Sequence, residues 1–164
     1  MSTTSRIFHC SPDDVFDILV DGWSYATWVV GAARIRDVDT EWPEAGSRIH
    51  HSVGAWPIMI SDTTTVESFD RPHTMALTAR AWPAGEAEVR ITCEPHEDGT
   101  RVTIVEDATS GPALLLLKPL RDVMLGWRNV EALRRLAYLS ESRARSDDDT
   151  GGDGSTATVR SQGS

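Results

Sequence analysis

Apolar and polar residues alternate with a period of two through most of the region between residues 32 and 110. Six segments carry this alternation and are rich in β-branched residues, which favours strands: ARIRDVD, SRIHHSVG, PIMISDTTTVESF, TMALTARAW, EAEVRITCE and TRVTIVEDA. The turn sequences WPEAG, DRPH, WPAG and HEDG separate them. Because these connections are too short for parallel crossovers, we expect antiparallel hairpins. TSRIFHC, near the N-terminus, predicts a seventh strand.

Helical patterns flank this strand-rich region. In SPDDVFDIL, Ser11 can act as N-cap, Pro12 suits the first turn, and Asp14 lies three residues beyond the cap. SYATWVV predicts a second short helical turn. The segment PLRDVMLGWRNVEALRRLAYLSE predicts a long C-terminal helix. Its apolar residues recur at spacings of three and four and predict one buried stripe: Leu120, Val123, Met124, Trp127, Val130, Leu133 and Ala137.

The order of strand, two short helices, six strands and long helix predicts an α+β fold. An antiparallel sheet of seven strands must cover its apolar face, and only the last helix is long enough to do so. A curved sheet gripping that helix leaves a space near the helix ends. We expect residues 1–142 to form this domain. Residues 143–164 are rich in Gly, Ser, Thr and Asp and lack aromatic residues, which predicts a disordered tail.

Composition narrows the possible partners. The chain has 164 residues and a formal net charge of -9, which argues against nucleic acid and against anionic membrane surfaces. No run approaches the roughly 18 apolar residues that a membrane span needs, and the N-terminus lacks the apolar core of a signal peptide. We therefore expect a cytoplasmic protein, either a monomer or a weak homodimer, with Cys10 and Cys93 as free thiols.

Three stretches give the chain a likeness to a known group: SPDDVFDILVDGWSYATWVVG, EAGSRIHHSVG and SFDRPHTMAL. With the element order, they resemble the START-like (SRPBCC) superfamily, and within it the bacterial polyketide cyclase/dehydrase-type branch, over residues 4–142. The resemblance implies a helix-grip fold, with a curved seven-stranded sheet around the C-terminal helix and a deep cavity for an apolar or aromatic small molecule. Some members are aromatase/cyclases, whereas others carry ligands or bind proteins. No catalytic residue of those enzymes can be matched here by position.

Alternation also predicts which strand residues face the interior. Ile49 and Val53 define the inward parity of SRIHHSVG, which places His51 inside and His50 outside. The same rule applied to the other strands predicts a mostly apolar inner surface with a few polar groups. The inward-facing candidates for ligand binding are Ile49, His51, Trp56, Ile58, Ile60, Asp62, Thr64, Val89, Ile91 and Glu106.

Aromatic residues are candidates for the rim of the cavity. In the fold that the resemblance implies, the short second helix lies beside the cavity opening, which makes Trp23, Tyr25 and Trp28 candidates for ligand contact. Packing of these side chains against the sheet is the alternative. Two further tryptophans stand beside prolines at strand ends, and two residues of the long helix are expected to reach the interior. These four candidates are Trp56, Trp82, Met124 and Trp127.

The polar inward-facing residues suggest chemistry. A carboxyl group with a raised pKa beside an imidazole can enolise or dehydrate a ketone, so His51, Asp62 and Glu106 are catalytic candidates. Alternatively, these groups meet water at strand ends or hydrogen-bond to strand neighbours. We expect no metal and no cofactor, because His50 and His51 point to opposite faces and no HExxH, CxxC or glycine-rich nucleotide motif is present.

Three functions remain open at this stage. The first is binding of a hydrophobic or aromatic small molecule, lipid- or polyketide-like, in an internal cavity. The second is a cyclase- or dehydratase-type lyase that uses acid–base residues in that cavity. The third is a protein-interaction module built on the same fold, with an exposed apolar patch in place of a pocket.

Overall fold

The computed structural model describes residues 1–55, 58–81, 85–110 and 118–151. Strand β1 (Ser2–Phe8) precedes helix α1 (Pro12–Leu19), a 3-10 turn (Gly22–Ser24) and the one-turn helix α2 (Tyr25–Trp28). Six strands and helix α3 follow: β2 (Ala32–Val38), β3 (Arg48–Ala55), β4 (Ile58–Asp70), β5 (Thr74–Ala81), β6 (Gly85–His96), β7 (Gly99–Ser110) and α3 (Lys118–Gly151). The predicted element order and helix-grip fold are confirmed.

The seven strands form one antiparallel sheet in the order β1-β7-β6-β5-β4-β3-β2. Strands β2 to β7 follow one another as hairpins, and β1 joins the far edge by pairing with β7. Helix α3 lies across the inner face and contacts β1, β7, α1 and α2. This arrangement buries the apolar face of the sheet and brings α2 and α3 to the same region of it.

Helix α1 begins as its sequence predicts. The Ser11 hydroxyl accepts a hydrogen bond from the backbone N–H of Asp14 at 3.3 Å, and the Asp14 carboxylate accepts one from the backbone N–H of Ser11 at 2.8 Å. This reciprocal capping box satisfies two of the backbone donors that a helix start leaves free. The helix then buries Val15, Phe16 and Leu19 against the core.

The buried side of α3 differs from the predicted stripe. Trp127 is 69% exposed and Val130 is 54% exposed, so the prediction that Trp127 points into the interior is wrong. Successive steps of three residues fall short of the helical turn of about 3.6 residues, and the predicted stripe therefore drifts around the helix. The buried residues described on α3 instead occupy one face: Asn129, Ala132, Leu133, Leu136, Ala137 and Ser140.

The C-terminal end of α3 lies beyond the predicted domain boundary. The helix continues to Gly151, so the boundary placed after residue 142 falls inside it. The buried face reaches as far as Ser140, which is fully buried. Residues 152–164 of the predicted tail lie outside the described residues.

Replacing Gly99 with alanine is expected to destabilise the domain more than replacing Gly46. Both glycines have positive φ, +132° and +90°, and alanine is strained there by about 1–2 kcal/mol. A Cβ at Gly99 would also overlap the carbonyl oxygen of Phe8, whereas nothing lies within 4 Å of one at Gly46. We expect an additional loss of about 1–3 kcal/mol for Gly99→Ala, measured by urea unfolding. Equal losses in the two variants would contradict this explanation.

Candidate functional site

A cavity of about 100 Å³ lies between the sheet and α3. Its walls come from α2 and the residues after it, from the inner faces of β3, β5, β6 and β7, and from α3. Most of the lining is apolar and includes Trp28, Val53, Leu77, Val89, Ile104 and Ala132. Six lining residues carry hydroxyl, imidazole, carboxylate, guanidinium or amide groups: Tyr25, His51, Arg80, Glu106, Arg128 and Asn129. The site is therefore an apolar chamber with polar side chains in its wall.

A chain of hydrogen bonds connects α2 to strands β3 and β4 beside this cavity. The Tyr25 hydroxyl lies 2.9 Å from Oγ1 of Thr64, and Nε2 of His51 lies 3.0 Å from the same oxygen. All three side chains are buried, with exposures of 4%, 0% and 3% for Tyr25, Thr64 and His51. Thr64 faces inward on β4 as the alternation predicts, and its hydroxyl joins the phenol to the imidazole.

Ring packing holds the same chain in place. The rings of Tyr25 and Trp28 meet edge to face, with centroids 5.4 Å apart. The Tyr25 ring also lies 5.6 Å from the His51 imidazole at an interplanar angle of 32°. Aromatic pairs at such separations favour offset or edge-to-face geometries. The packing thus fixes the orientation of both polar rings in the cavity wall.

Burial keeps both rings in their neutral forms. Desolvation lowers the pKa of His51 below its ordinary value of 6.5, and the nearby Asp62 carboxylate opposes this shift only in part. Desolvation raises the pKa of Tyr25 above its ordinary value of 10.0, although the bond to Thr64 and the charge of Arg128 act in the other direction. A neutral imidazole and a neutral phenol can each donate one hydrogen bond and accept another.

An ion pair crosses from the sheet to α3. Glu106 on β7 is 1% exposed, and its Oε1 accepts a hydrogen bond from Nη2 of Arg128, which is partly exposed. A lone buried carboxylate would cost several kcal/mol, whereas a paired one retains its charge. The guanidinium therefore supports an ionised Glu106 inside the cavity wall.

Three buried polar atoms at this cavity have no hydrogen-bond partner among the described residues. They are Nδ1 of His51, Oε2 of Glu106 and Nδ2 of Asn129. Each belongs to a lining residue that is at most 3% exposed. Nearly all buried polar groups in native proteins are hydrogen-bonded, so three such atoms on residues that line one chamber are unusual.

The predicted site residues fall into three groups. The first group lines the cavity and comprises His51, Glu106, Trp28 and Val89. The hydroxyl of Thr64 forms hydrogen bonds to two lining residues, Tyr25 and His51. Others are buried elsewhere or lie outside the cavity lining. Ile49 and Ile91 belong to the close-packed core, Ile60 is half-buried, Asp62 accepts a bond from the backbone N–H of Thr63, and Trp23 is 61% exposed on the 3-10 turn.

The remaining predicted residues cannot be placed at the cavity. Trp56 and Trp82 lie outside the described residues, as do the side chains of Ile58 and Met124. Trp127 lies on the exposed side of α3. Of the five tryptophans predicted at the rim or in the interior, Trp28 alone is among the described lining residues.

Two lining residues on α3, Arg128 and Asn129, were missed. Asn129 lies four residues before the buried Leu133, so a polar residue at a core-facing helical position was available as a signal. Nothing in the sequence distinguishes Arg128 from the arginines of a solvated helix face. Only its contact with Glu106 reveals its role.

Other chemistries find little support. Cys10 and Cys93 are free, as expected, and burial raises the pKa of each thiol to about 12, which disfavours thiolate chemistry. Within the described ranges, no group of three or more His, Cys, Asp or Glu side chains is arranged to hold a metal ion. The described helices include none long and apolar enough to cross a membrane.

The fold and the cavity define a class of protein: a helix-grip domain that encloses an apolar chamber beneath a long C-terminal helix. The family model described as polyketide cyclase / dehydrase and lipid transport matches residues 2–141. The chain belongs to this family, as the resemblance implied. A comparison with curated proteins gave no match.

Solved structures share this fold at low sequence identity. A protein from Rhodobacter sphaeroides superposes with a TM-score of 0.67 at 19% identity, over 86% of this chain and 91% of its own. The di-domain ARO/CYC StfQ from the steffimycin biosynthetic pathway gives 0.68 at 12% identity, over 87% of this chain and 51% of StfQ. Ara h 8.0201 gives 0.66 at 12% identity, over 85% and 96%. At such identities the likeness concerns the fold alone.

The depressed pKa of His51 predicts a pH dependence of stability. Below pH 6.5, His51 is protonated in the unfolded chain but stays neutral in the folded chain, because its folded-state pKa is lower. The unfolding free energy is therefore unaffected by His51 above this pH and decreases as the pH falls below it. We expect the unfolding free energy of the wild type to decline more steeply below this pH than that of His51→Gln. The two slopes should differ by up to about 1.4 kcal/mol per pH unit. Urea unfolding between about pH 5 and about pH 8 measures the difference, and parallel curves would refute it.

Proposed function

We propose that this protein binds a hydrophobic or aromatic small molecule, lipid- or polyketide-like, in the cavity between the sheet and α3. The observation that carries the proposal is the combination of an apolar lining with three buried polar atoms that lack partners among the described residues. A chamber that served only as a packing defect would favour apolar walls, because unpaired buried polar groups are costly. The lining instead suits a ligand with an apolar body and a polar group.

Energetics support a cavity that persists without ligand. At about 24 cal/mol per Å³, an empty apolar void of this size costs about 2.4 kcal/mol, which a domain with a net stability of about 5–15 kcal/mol tolerates. The volume of about 100 Å³ is below the roughly 300 Å³ at which ligand pockets usually begin. A ligand much larger than a single ring must therefore displace part of the wall as it enters.

We further propose that the protein works in the cytoplasm, as a monomer or weak homodimer, and does not bind nucleic acid. The unpaired Cys10 and Cys93 suit a reducing compartment. The net charge of -9 disfavours association with a polyanion.

Filling the cavity is expected to abolish binding of an apolar probe. Ala79 and Ala76 lie on the same strand, and Ala79 lines the cavity whereas Ala76 does not. We expect toluene to shift the NMR signals of lining residues such as Val89 and Ile104 in the wild type and in Ala76→Phe, and to have no effect on Ala79→Phe. Saturation at 100 times the dissociation constant adds about 2.7 kcal/mol of stability, measurable as a rise in melting temperature.

Two results would count against ligand binding. One is a wild type whose spectrum and melting temperature do not respond to toluene. The other is an equal response of Ala79→Phe and the wild type, which would place the toluene outside the cavity. Circular dichroism verifies that both phenylalanine variants retain the fold.

A second candidate function is acid–base catalysis on a ketone, which the Tyr25–Thr64–His51 chain favours. Such a chain can carry protons without creating a buried charge. His51 Nδ1 accepts a proton from the carbon beside the carbonyl, and the Nε2 proton passes to Oγ1 of Thr64. The Thr64 hydroxyl proton passes to the Tyr25 oxygen, and the Tyr25 hydroxyl proton passes to the carbonyl oxygen, which yields the enol.

Acetophenone in D₂O tests this candidate. We expect the wild type to accelerate exchange of the methyl protons, observed by NMR, above the rate in buffer. Thr64→Val interrupts the chain and is expected to lose the acceleration, whereas Thr64→Ser keeps a hydroxyl and retains it. A wild-type rate equal to that of buffer, or an equal rate in the valine and serine variants, would exclude the relay.

A further inference from the structure

We propose that the cavity selects ligands that carry a hydroxyl group, which Glu106 and Asn129 recognise together. This inference rests on the proposed function, because it concerns the ligand of the same chamber. It specifies a feature that an apolar lining by itself does not require: one group on the ligand that both donates and accepts a hydrogen bond.

Glu106 supplies the acceptor. Its side chain is 1% exposed, and Arg128 occupies Oε1 and balances the charge. Glu106 lines the same chamber, and its Oε2 has no partner among the described residues. An ionised carboxylate only accepts hydrogen bonds, so the matching group on a ligand must be a donor. A second carboxylate, on the ligand, would meet like charge at this point.

Asn129 supplies the donor. It follows Arg128 directly on α3, so the contact between Arg128 and Glu106 brings this part of the helix to the carboxylate. Asn129 is 3% exposed, and its Nδ2 has no partner within the described part of the chain. The Nδ2 group only donates, and the matching ligand atom must therefore be an acceptor.

A hydroxyl group satisfies both requirements at once. Its hydrogen can bind Oε2 of Glu106 while its oxygen accepts from Nδ2 of Asn129. A hydrocarbon offers neither bond and would leave two buried polar atoms without partners, which is costly. A site built to hydrogen-bond a ligand group therefore discriminates strongly against an analogue that lacks that group.

Three ligands of one shape separate the chemical classes: p-cresol, p-xylene and p-toluate. They present a hydroxyl, a methyl and a carboxylate on the same methylated ring. Dissociation constants come from titration of the full-length ¹⁵N-labelled protein, followed by NMR at neutral pH. We expect p-cresol to bind about tenfold or more tightly than p-xylene, and p-toluate to bind most weakly of the three.

The variants Glu106→Gln and Asn129→Leu test whether these two residues create the preference. Each is expected to reduce the ratio of p-xylene to p-cresol dissociation constants to within about threefold of unity. Glu88→Gln makes the same chemical change at an exposed position on β6 and is expected to preserve the wild-type ratio. If Glu106→Gln does not fold, as judged by circular dichroism, Asn129→Leu decides the question.

The possible failures are distinguishable. Equal affinity of the wild type for p-cresol and p-xylene overturns the hydroxyl preference and leaves the proposed function standing. A preference that survives unchanged in both cavity variants also overturns the assignment to Glu106 and Asn129. Failure of all three ligands to bind overturns both proposals.

Discussion

The contact between Arg128 and Glu106 connects α3 to the inner face of the sheet. A buried carboxylate on the inner face of β7 requires a cation, and Arg128 reaches it from the helix. At about 100° of rotation per residue, this fixed position turns Asn129 inward and leaves Trp127, two residues earlier, on the opposite side. The ion pair and the buried apolar face of α3 thus agree on one rotation of the helix, which brings Asn129 to the chamber and leaves Trp127 exposed.

Small side chains on facing elements leave the cavity open, and side chains that are held in place by their contacts form its walls. Ala79, Ala87 and Ala132 face the cavity from two strands and α3, so side chains on facing elements do not meet there. On the other side, Tyr25 is held by its hydrogen bond to Thr64 and by ring contacts with its neighbours. The chamber therefore results from the small side chains at these positions within a densely packed core. The fold by itself does not require a chamber.

The family and the site draw on different parts of the sequence. Solved structures at 12–19% identity share this fold, because alternation, turns and capping leave many choices of residue at each position. The ligand recognition that we propose depends instead on a few buried polar atoms. Membership of the family therefore establishes the architecture, while the chemistry that we propose for this member depends on its own His51, Glu106 and Asn129.

The sequence by itself determined the architecture and much of the inner face. Period-two alternation is a local property, and because neighbouring strand residues point to opposite faces, it correctly turned His51, Thr64 and Glu106 inward. The rotation of α3 was predicted wrongly at Trp127, although the spacing of Asn129, Leu133 and Leu136 already indicates the buried face. Only the tertiary structure revealed the pairing of Arg128 with Glu106 and the chamber beside it, because that contact joins residues on different elements and no local pattern records it.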